Sequence, residues 1–387
     1  MGCNLLAMYF VIIAVDFGLG NGLKYGPCKS KCKKLGLAGC WRVCRIETDD
    51  VIEKSCWNKC SNSIIMGQNA EAALRGCIHQ CRNCVLPSNQ TDFVKIVDDQ
   101  YTAEGPVFTK DGNFYMVATF RNEIVKVDLE KRNASLFVAP SINGLKGYPV
   151  GLQCDSENNI WVADATLGLL KLTQDGSFKQ IATRDNYNNI LQGCNDLTFD
   201  YQGNLWITAP TGPIFSTLEN YTDSQEEPFG SVYCYNKTTD EIIKVTTGFL
   251  YPNGIAIQHD NNGTPKKLIF GESFNTTAPL WSYDIVSPCQ VENKQVWGNL
   301  PSKSMPDGMD FDNEGDLIVT DYSSNYVYVF GPNGGAPICR LKCPFSAITN
   351  VHFRPNSTDL FITEREFHGL WKIQWKSEGM EQYCERV

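Results

Sequence analysis

Five oxygen-bearing side chains stand at matching points of one repeat in this 387-residue chain. Short segments rich in aromatic and β-branched residues recur at Phe114 (GNFYMVAT), Ile160 (NNIWVADA), Leu205 (GNLWITAP), Leu268 (KLIFGES), Leu317 (GDLIVTDY) and Leu360 (TDLFITER). Glu104, Asn195, Asp307 and Asn350 each lie ten residues ahead of such a segment, and Asn253 lies fifteen ahead of another; Val150 fills the remaining position. They occur as EGP, CND, PNG, PDG and TNV, and one such tripeptide alone reads as a turn. Recurrence in phase makes them a set. Glu104, Asn195, Asn253 and Asp307 are hard oxygen donors without Cys or His among them, and two carboxylates match a divalent charge, so the set points to Ca²⁺.

The elements that must position this set follow from the repeat. The segments are 46, 45, 63, 49 and 43 residues apart, each is the length of one strand, and turn residues precede each. Six units at this period, with no long helical pattern between them, predict a six-bladed β-propeller of four-stranded blades over residues 94–387. The innermost strand of each blade then runs along the central channel, and equivalent positions converge on its axis. The longer third gap is expected to accommodate the loop around Asn236 and Asn262.

The remainder of the chain reads differently. Leu5 to Val15 is an apolar run too short to span a bilayer, so residues 1–21 read as a cleaved export signal, with a retained anchor as the competing reading. Asn-x-Ser/Thr sequons at Asn89, Asn133, Asn220, Asn236, Asn262, Asn275 and Asn356 agree with a secreted glycoprotein. Residues 22–85 hold nine cysteines, eight of them in CxxxC pairs (Cys28/Cys32, Cys40/Cys44, Cys56/Cys60, Cys77/Cys81) with Cys84 trailing. That spacing places both thiols on one helical face and predicts a small disulfide-rich helical domain, structural zinc being the alternative. Residues 86–93 form a polar linker. The cysteine-rich region is basic and the propeller acidic, and the net charge of −9 argues against a nucleic-acid partner. The basic domain could dock acidic glycans, a protein partner or its own propeller. Cys194 beside Asn195 reads as a buried inert thiol, and Cys289, Cys339 and Cys343 are left to pair with one another or with Cys84.

AEGPVFTKDGNFY, LQGCNDLTFDYQGNLWITAP, YPNGIAI, PDGMDFD and VYVFGPNGGAP resemble the squid-type diisopropylfluorophosphatases, and more distantly the whole SMP-30/gluconolactonase/luciferin-regenerating enzyme-like family, from about Ala103 to Tyr383. The resemblance implies a calcium-dependent hydrolase whose catalytic ion is held by Glu104, Asn195, Asn253 and Asp307, the donors already singled out by the repeat. It further implies a second, structural calcium at Asp310, the Val351 carbonyl and His352. Such an axial ion polarises the P=O of a phosphotriester or fluorophosphate or the C=O of a lactone, with either metal-activated water or the Asp307 carboxylate as nucleophile. Asp196 would orient Asn195 or cap a turn. The pocket departs from the family's: Arg365 stands where it has a histidine, Tyr322 a tryptophan, Ala165 a methionine and Ser273 a threonine, while Asn350 matches. Arg365 favours an anionic or strongly polar substrate over a neutral one, unless it pairs with Glu364 or Glu366. The expected partner is thus a small ester or lactone; a non-catalytic, calcium-stabilised matrix or binding glycoprotein is the alternative. Mass spectrometry of the secreted protein is expected to show no residues before about position 20, glycan on several sequons and no free thiols between Cys28 and Cys81; retention of Met1 contradicts the export reading.

Overall fold

The computed structural model describes residues 93–189, 191, 193–211 and 230–386. The expected signal segment, cysteine-rich domain and linker lie outside them, Phe93 apart. Six four-stranded antiparallel sheets follow one another along the described chain, with a two-stranded ribbon at Ser141–Ile142 and Leu145–Lys146 between the first and the second. They are the six blades of the predicted propeller. The innermost strands are Ala103–Phe108, Pro149–Cys154, Leu197–Phe199, Pro252–His259, Pro306–Phe311 and Ile348–Phe353. The apolar segments of the repeat are the second strands, and Phe114–Ala118, Ile160–Asp164, Leu205–Ala209 and Leu317–Asp321 are buried end to end. Strands covered on both faces need no polar alternation, so these runs read as continuous apolar stretches.

Blade 6 is completed from the other end of the propeller. Val94–Val97 pairs antiparallel with Leu370–Gln374 as its outermost strand. This closes the ring and gives the last blade a fourth strand. The core lies between neighbouring blades: Trp161 and Ala163 of blade 2 pack with Leu197, Ile207 and Tyr233 of blade 3, and Phe108 and Phe114 of blade 1 with Phe361 and Leu370 of blade 6.

Aspartates in the turns between first and second strands fasten these layers. Asp200 Oδ1 accepts the Asn204 backbone N–H at 2.9 Å while Oδ2 accepts the Trp206 indole N–H at 3.1 Å. Asp155 receives the Trp161 indole at 2.8 Å, and Asp312 that of Trp375 at 3.0 Å. Asp312, Glu314 and Asp316 lie close enough to hold a cation. The Lys376 ammonium is already among them, 2.7 Å from Asp316 and 3.6 Å from Asp312.

Two expectations are corrected. The extra length of the third repeat falls between the second and third strands of blade 3, after Ala209 and before Gly230, so it precedes Asn236 and Asn262. Cys289 pairs with Cys234, linking blades 3 and 4 through thiols 55 residues apart in sequence. Cys339 is disulfide-bonded and Cys343 is a free buried thiol.

Around the channel the innermost strands crowd one another. A Cβ on Gly254 would lie 2.0 Å from the Asp307 carbonyl oxygen, and one on Gly308 would lie 2.0 Å from the Asn350 amide. Gly105 and Gly151 abut Val150 and Asn195 in the same way. Each of these glycines directly follows one residue of the ring and touches the next, so its missing side chain sets the ring's diameter. Gly254→Ala is expected to cost at least about 2 kcal/mol or to prevent folding. Gly331→Ala, whose Cβ would meet only Ile338 at 3.7 Å, is expected to change stability by less than about 0.5 kcal/mol; urea unfolding of both variants checks the contrast.

Candidate active site

The six innermost strands run in one direction along the channel, and this divides their residues between two cavities. Glu104, Val150, Asn195, Asn253 and Asp307, at or just before the starts of these strands, line a cleft with Tyr251, Ser273, Phe274, Met305, Tyr322 and Arg365. Residues farther along, among them Asp310, Val351 and His352, line a second cavity with the C-terminal Met380 to Tyr383. Each encloses about 40 Å³, space for an ion and little more than a water beside it. The C-terminal segment covers the second cavity: the Tyr201 hydroxyl donates to the Glu381 carbonyl at 2.6 Å and the Gln382 amide to Asp310 at 3.1 Å.

Cleft residues come from three kinds of position. The ring donors sit at strand starts; Ser273, Tyr322 and Arg365 come directly after second strands; Tyr251 and Met305 come directly before innermost strands. Buried acids ending the second strands tie these pieces together. Asp321 Oδ1 accepts the Met305 N–H at 2.9 Å, and Glu272 Oε1 accepts the Leu250 N–H at 2.7 Å. Tyr251, Phe274 and Met305 were not among the residues expected from sequence; the position two before each ring residue would have found Tyr251 and Met305.

Asp196 and Asn350, expected at the pocket, line the second cavity instead. Successive residues of an extended chain face opposite ways, so Asp196 turns away from the cleft that Asn195 lines. For Asn350 the reason is register. In blades 4 and 5 the pairing breaks across Pro252/Ile255 and Pro306/Met309, spanning Asn253 and Asp307, whereas in blade 6 the break is the shorter Ile348/Asn350. Bulges of this kind re-aim side chains beside functional sites. The Asn350 side chain, whose Oδ1 accepts the Val351 N–H at 2.8 Å, lowers the pKa of both Glu104 and Asp196 and so stands between the two cavities.

Among the ring donors, Asn195 donates to the Tyr251 hydroxyl at 3.4 Å. Asn253 donates from Nδ2 to Ser273 Oγ at 3.2 Å, and that hydroxyl donates to the Pro306 carbonyl at 2.6 Å. The chain fixes the Asn253 amide through its nitrogen and leaves its Oδ1 buried without a partner. Glu104 accepts the Gly105 N–H at 3.1 Å. Burial holds its carboxyl above the usual range, opposed by the Arg365 charge. Burial also pushes Asp307 well up, Glu104 adding to the effect and Arg365 opposing it. Burial and then Glu104 push Asp196 up to about 7. Buried carboxylates that raise one another's pKa, beside an amide oxygen with no donor, are what a hard divalent cation would relieve.

In the second cavity Asp310 accepts the Phe311 and Phe353 N–H groups at 2.9 and 3.1 Å, and burial lifts its carboxyl to about 7. Burial lowers His352 to about 4, and its Nδ1 stands 3.5 Å from Asp310. Asp310, Val351 and His352 thus come together around one space. Cys194 is buried, with its thiol pushed up to about 12 by burial, as an inert thiol should be. Glu364 accepts the Phe367 and Gly369 N–H groups and the Trp371 indole, and Glu366 accepts the Ser346 N–H and hydroxyl. Both acids flanking Arg365 are therefore engaged elsewhere.

The fold is a closed six-bladed propeller with oxygen donors converging on its channel. Residues 102–366 match the SMP-30/Gluconolactonase/LRE-like region. The chain is 45% identical over 313 residues to the diisopropyl-fluorophosphatase of Loligo vulgaris, covering 78% of this chain and 98% of the relative. It is 24% identical over 309 residues to the gluconolactonase of Zymomonas mobilis, covering 75% and 83%. The calcium-binding protein regucalcin from Agrobacterium tumefaciens superposes with a TM-score of 0.61 at 17% identity, covering 76% of this chain and 98% of that one. The chain belongs to the SMP-30/gluconolactonase/LRE-like family, and it is a hydrolase of that lactonase-like group.

The raised carboxylates make stability depend on pH. Asp196 and Asp310, both up to about 7, keep protons in the folded state that the unfolded chain has released. His259 and His352, both down to about 4, act oppositely, but only below the ordinary histidine pKa of 6.5. Above pH 6.5 the carboxylates act alone and stability falls as pH rises. In a chelator, the thermal midpoint is expected to drop by several degrees between pH 6.5 and 8, and Asp196→Asn with Asp310→Asn to flatten the slope.

Proposed function

We propose that this protein is a secreted, calcium-dependent hydrolase of small electrophilic esters, either lactones or phosphotriesters and fluorophosphates, with Glu104, Asn195, Asn253 and Asp307 holding the catalytic ion. The observation that carries the reading is the unpartnered Asn253 Oδ1 among buried carboxylates at one open cleft. When bound, calcium would polarise the P=O or C=O oxygen and stabilise the charge developing on it. The chain's own residues supply the rest. Ser273 fixes the Asn253 amide, Gly254 and Gly308 hold the ring at its diameter, and Tyr251, Phe274, Met305 and Tyr322 form an apolar wall that limits water. Asp307 would be the carboxylate that attacks substrate or takes a proton from an attacking water. A second, structural calcium at Asp310, the Val351 carbonyl and His352 is supported by their convergence in one cavity, and it would replace the repulsive contribution of the buried Asp310 charge with an attractive one. The names of the relatives, a fluorophosphatase and a gluconolactonase, support the substrate classes.

Export is supported by the Cys234–Cys289 disulfide, a bond that persists in oxidising compartments. The sequons at Asn133, Asn262 and Asn356 are exposed, whereas Asn236 is buried and its Oδ1 accepts the Thr238 N–H at 2.9 Å. Glycan is therefore expected at the first three and not at Asn236.

The test is hydrolysis of diisopropylfluorophosphate and of a panel of aldonolactones with and without a calcium chelator. Turnover is expected to need calcium and to fall at least about a hundredfold in Asp307→Asn. A folded, calcium-loaded protein inert toward both classes contradicts the proposal.

A further inference from the structure

We propose that Arg365 is the specificity-determining residue of the cleft and selects substrates that carry a carboxylate, so that the preferred substrate is an anionic lactone. The proposal rests on the calcium-hydrolase reading above.

Arg365 is the one cationic residue among the described residues that line the cleft. It makes no salt bridge among the described residues, and its Nε is buried without an acceptor. The acids on either side in sequence are engaged by backbone, hydroxyl and indole donors. A guanidinium presents five donors in a fixed planar fork, and a buried donor without an acceptor is costly to keep.

Aromatic rings hold the fork in place. Its central carbon lies 5.5 Å from the Tyr322 ring centroid and 5.8 Å from that of Phe120, within cation–π range. The backbone is pinned as well, the Arg365 N–H donating to the Ala347 carbonyl at 3.0 Å. Phe120 is 61% exposed, a large apolar ring at the surface with the guanidinium against it. The side chain is thus pre-positioned, and a ligand would not have to order it.

The charge of the loaded cleft decides the ligand. Glu104 and Asp307 are its two carboxylates, and a divalent ion balances them; Asp196 faces the other cavity. With the ion in place the Arg365 charge is left over, and the cleft carries a net positive charge beside its electrophile-binding position. A neutral substrate leaves that charge desolvated and unpaired. A carboxylate on the acyl portion of a lactone accepts the guanidinium fork in bidentate fashion while the lactone carbonyl lies over the ring.

The experiment compares D-glucaro-1,4-lactone, which carries a carboxylate, with neutral D-glucono-1,4-lactone, using full-length calcium-loaded protein. The wild type is expected to prefer the anionic lactone in kcat/KM by about ten- to hundredfold, the range of one charged hydrogen-bonded pair. Arg365→Met is expected to abolish the preference, and Arg365→Lys, which keeps the charge without the fork, to retain part of it. A second readout needs no turnover: calorimetric binding of inert methyl β-D-glucuronide is expected to exceed that of methyl β-D-glucoside by about tenfold in the wild type and to match it in Arg365→Met. Calcium-dependent turnover with no charge preference, or with one that Arg365→Met leaves in place, overturns the assignment while the hydrolase reading stands. Inertness toward both lactones overturns the anionic-lactone assignment, and the hydrolase reading falls with it only if diisopropylfluorophosphate is also left intact; equal binding of the two glycosides overturns the role of Arg365 in either case.

Discussion

The constraint on which the rest of this structure depends is the burial of like charges. Glu104, Asp196 and Asp307 are brought together where six innermost strands converge, and none has a salt bridge among the described residues. Taking even one carboxylate out of water costs several kcal/mol, and the cost grows when neighbours share its sign. The fold tolerates this because the strands are over-determined elsewhere. Apolar second strands are buried end to end, indole–aspartate pairs fasten the turns, and the first strand closes the last blade. Stability supplied by the rim is what permits an unfavourable centre.

That centre is also where the backbone leaves ideal geometry. The register breaks in blades 4 and 5 span Asn253 and Asp307, and the glycines beside them allow carbonyls and amides of adjacent blades to meet. The same departures aim oxygen atoms at one point. A ring held this rigidly would suit a cation, and its open face is bordered by Tyr251, Phe274 and Tyr322. Arg365 then contributes charge from the rim without joining the ring.

Much of this was legible in the sequence because propeller geometry turns spacing into position. The second strands announce themselves as apolar runs, and a constant offset from them finds Glu104, Asn195 and Asp307. What the offset could not show is facing. Asn350 sits at the same offset but on a shorter register break, and Asp196 follows a ring residue and so turns away; both face the other cavity. Tyr251, Phe274 and Met305 escaped notice because aromatic and thioether side chains before or after a strand look like ordinary core. The pairing of Cys234 with Cys289 joins different blades, and no local spacing encodes it. The covering of the second cavity by Met380 to Tyr383 likewise depends on contacts distant in sequence, such as Gln382 with Asp310.

Anomalous diffraction from crystals grown with calcium tests whether the ring of four side chains holds the ion. A peak is expected on the channel axis about 2.3–2.6 Å from oxygens of Glu104, Asn195, Asn253 and Asp307, with the Asn253 Oδ1 among its ligands. An axis without a peak in calcium-saturated crystals, with Arg365 folded inward onto Glu104 and Asp307, would contradict it.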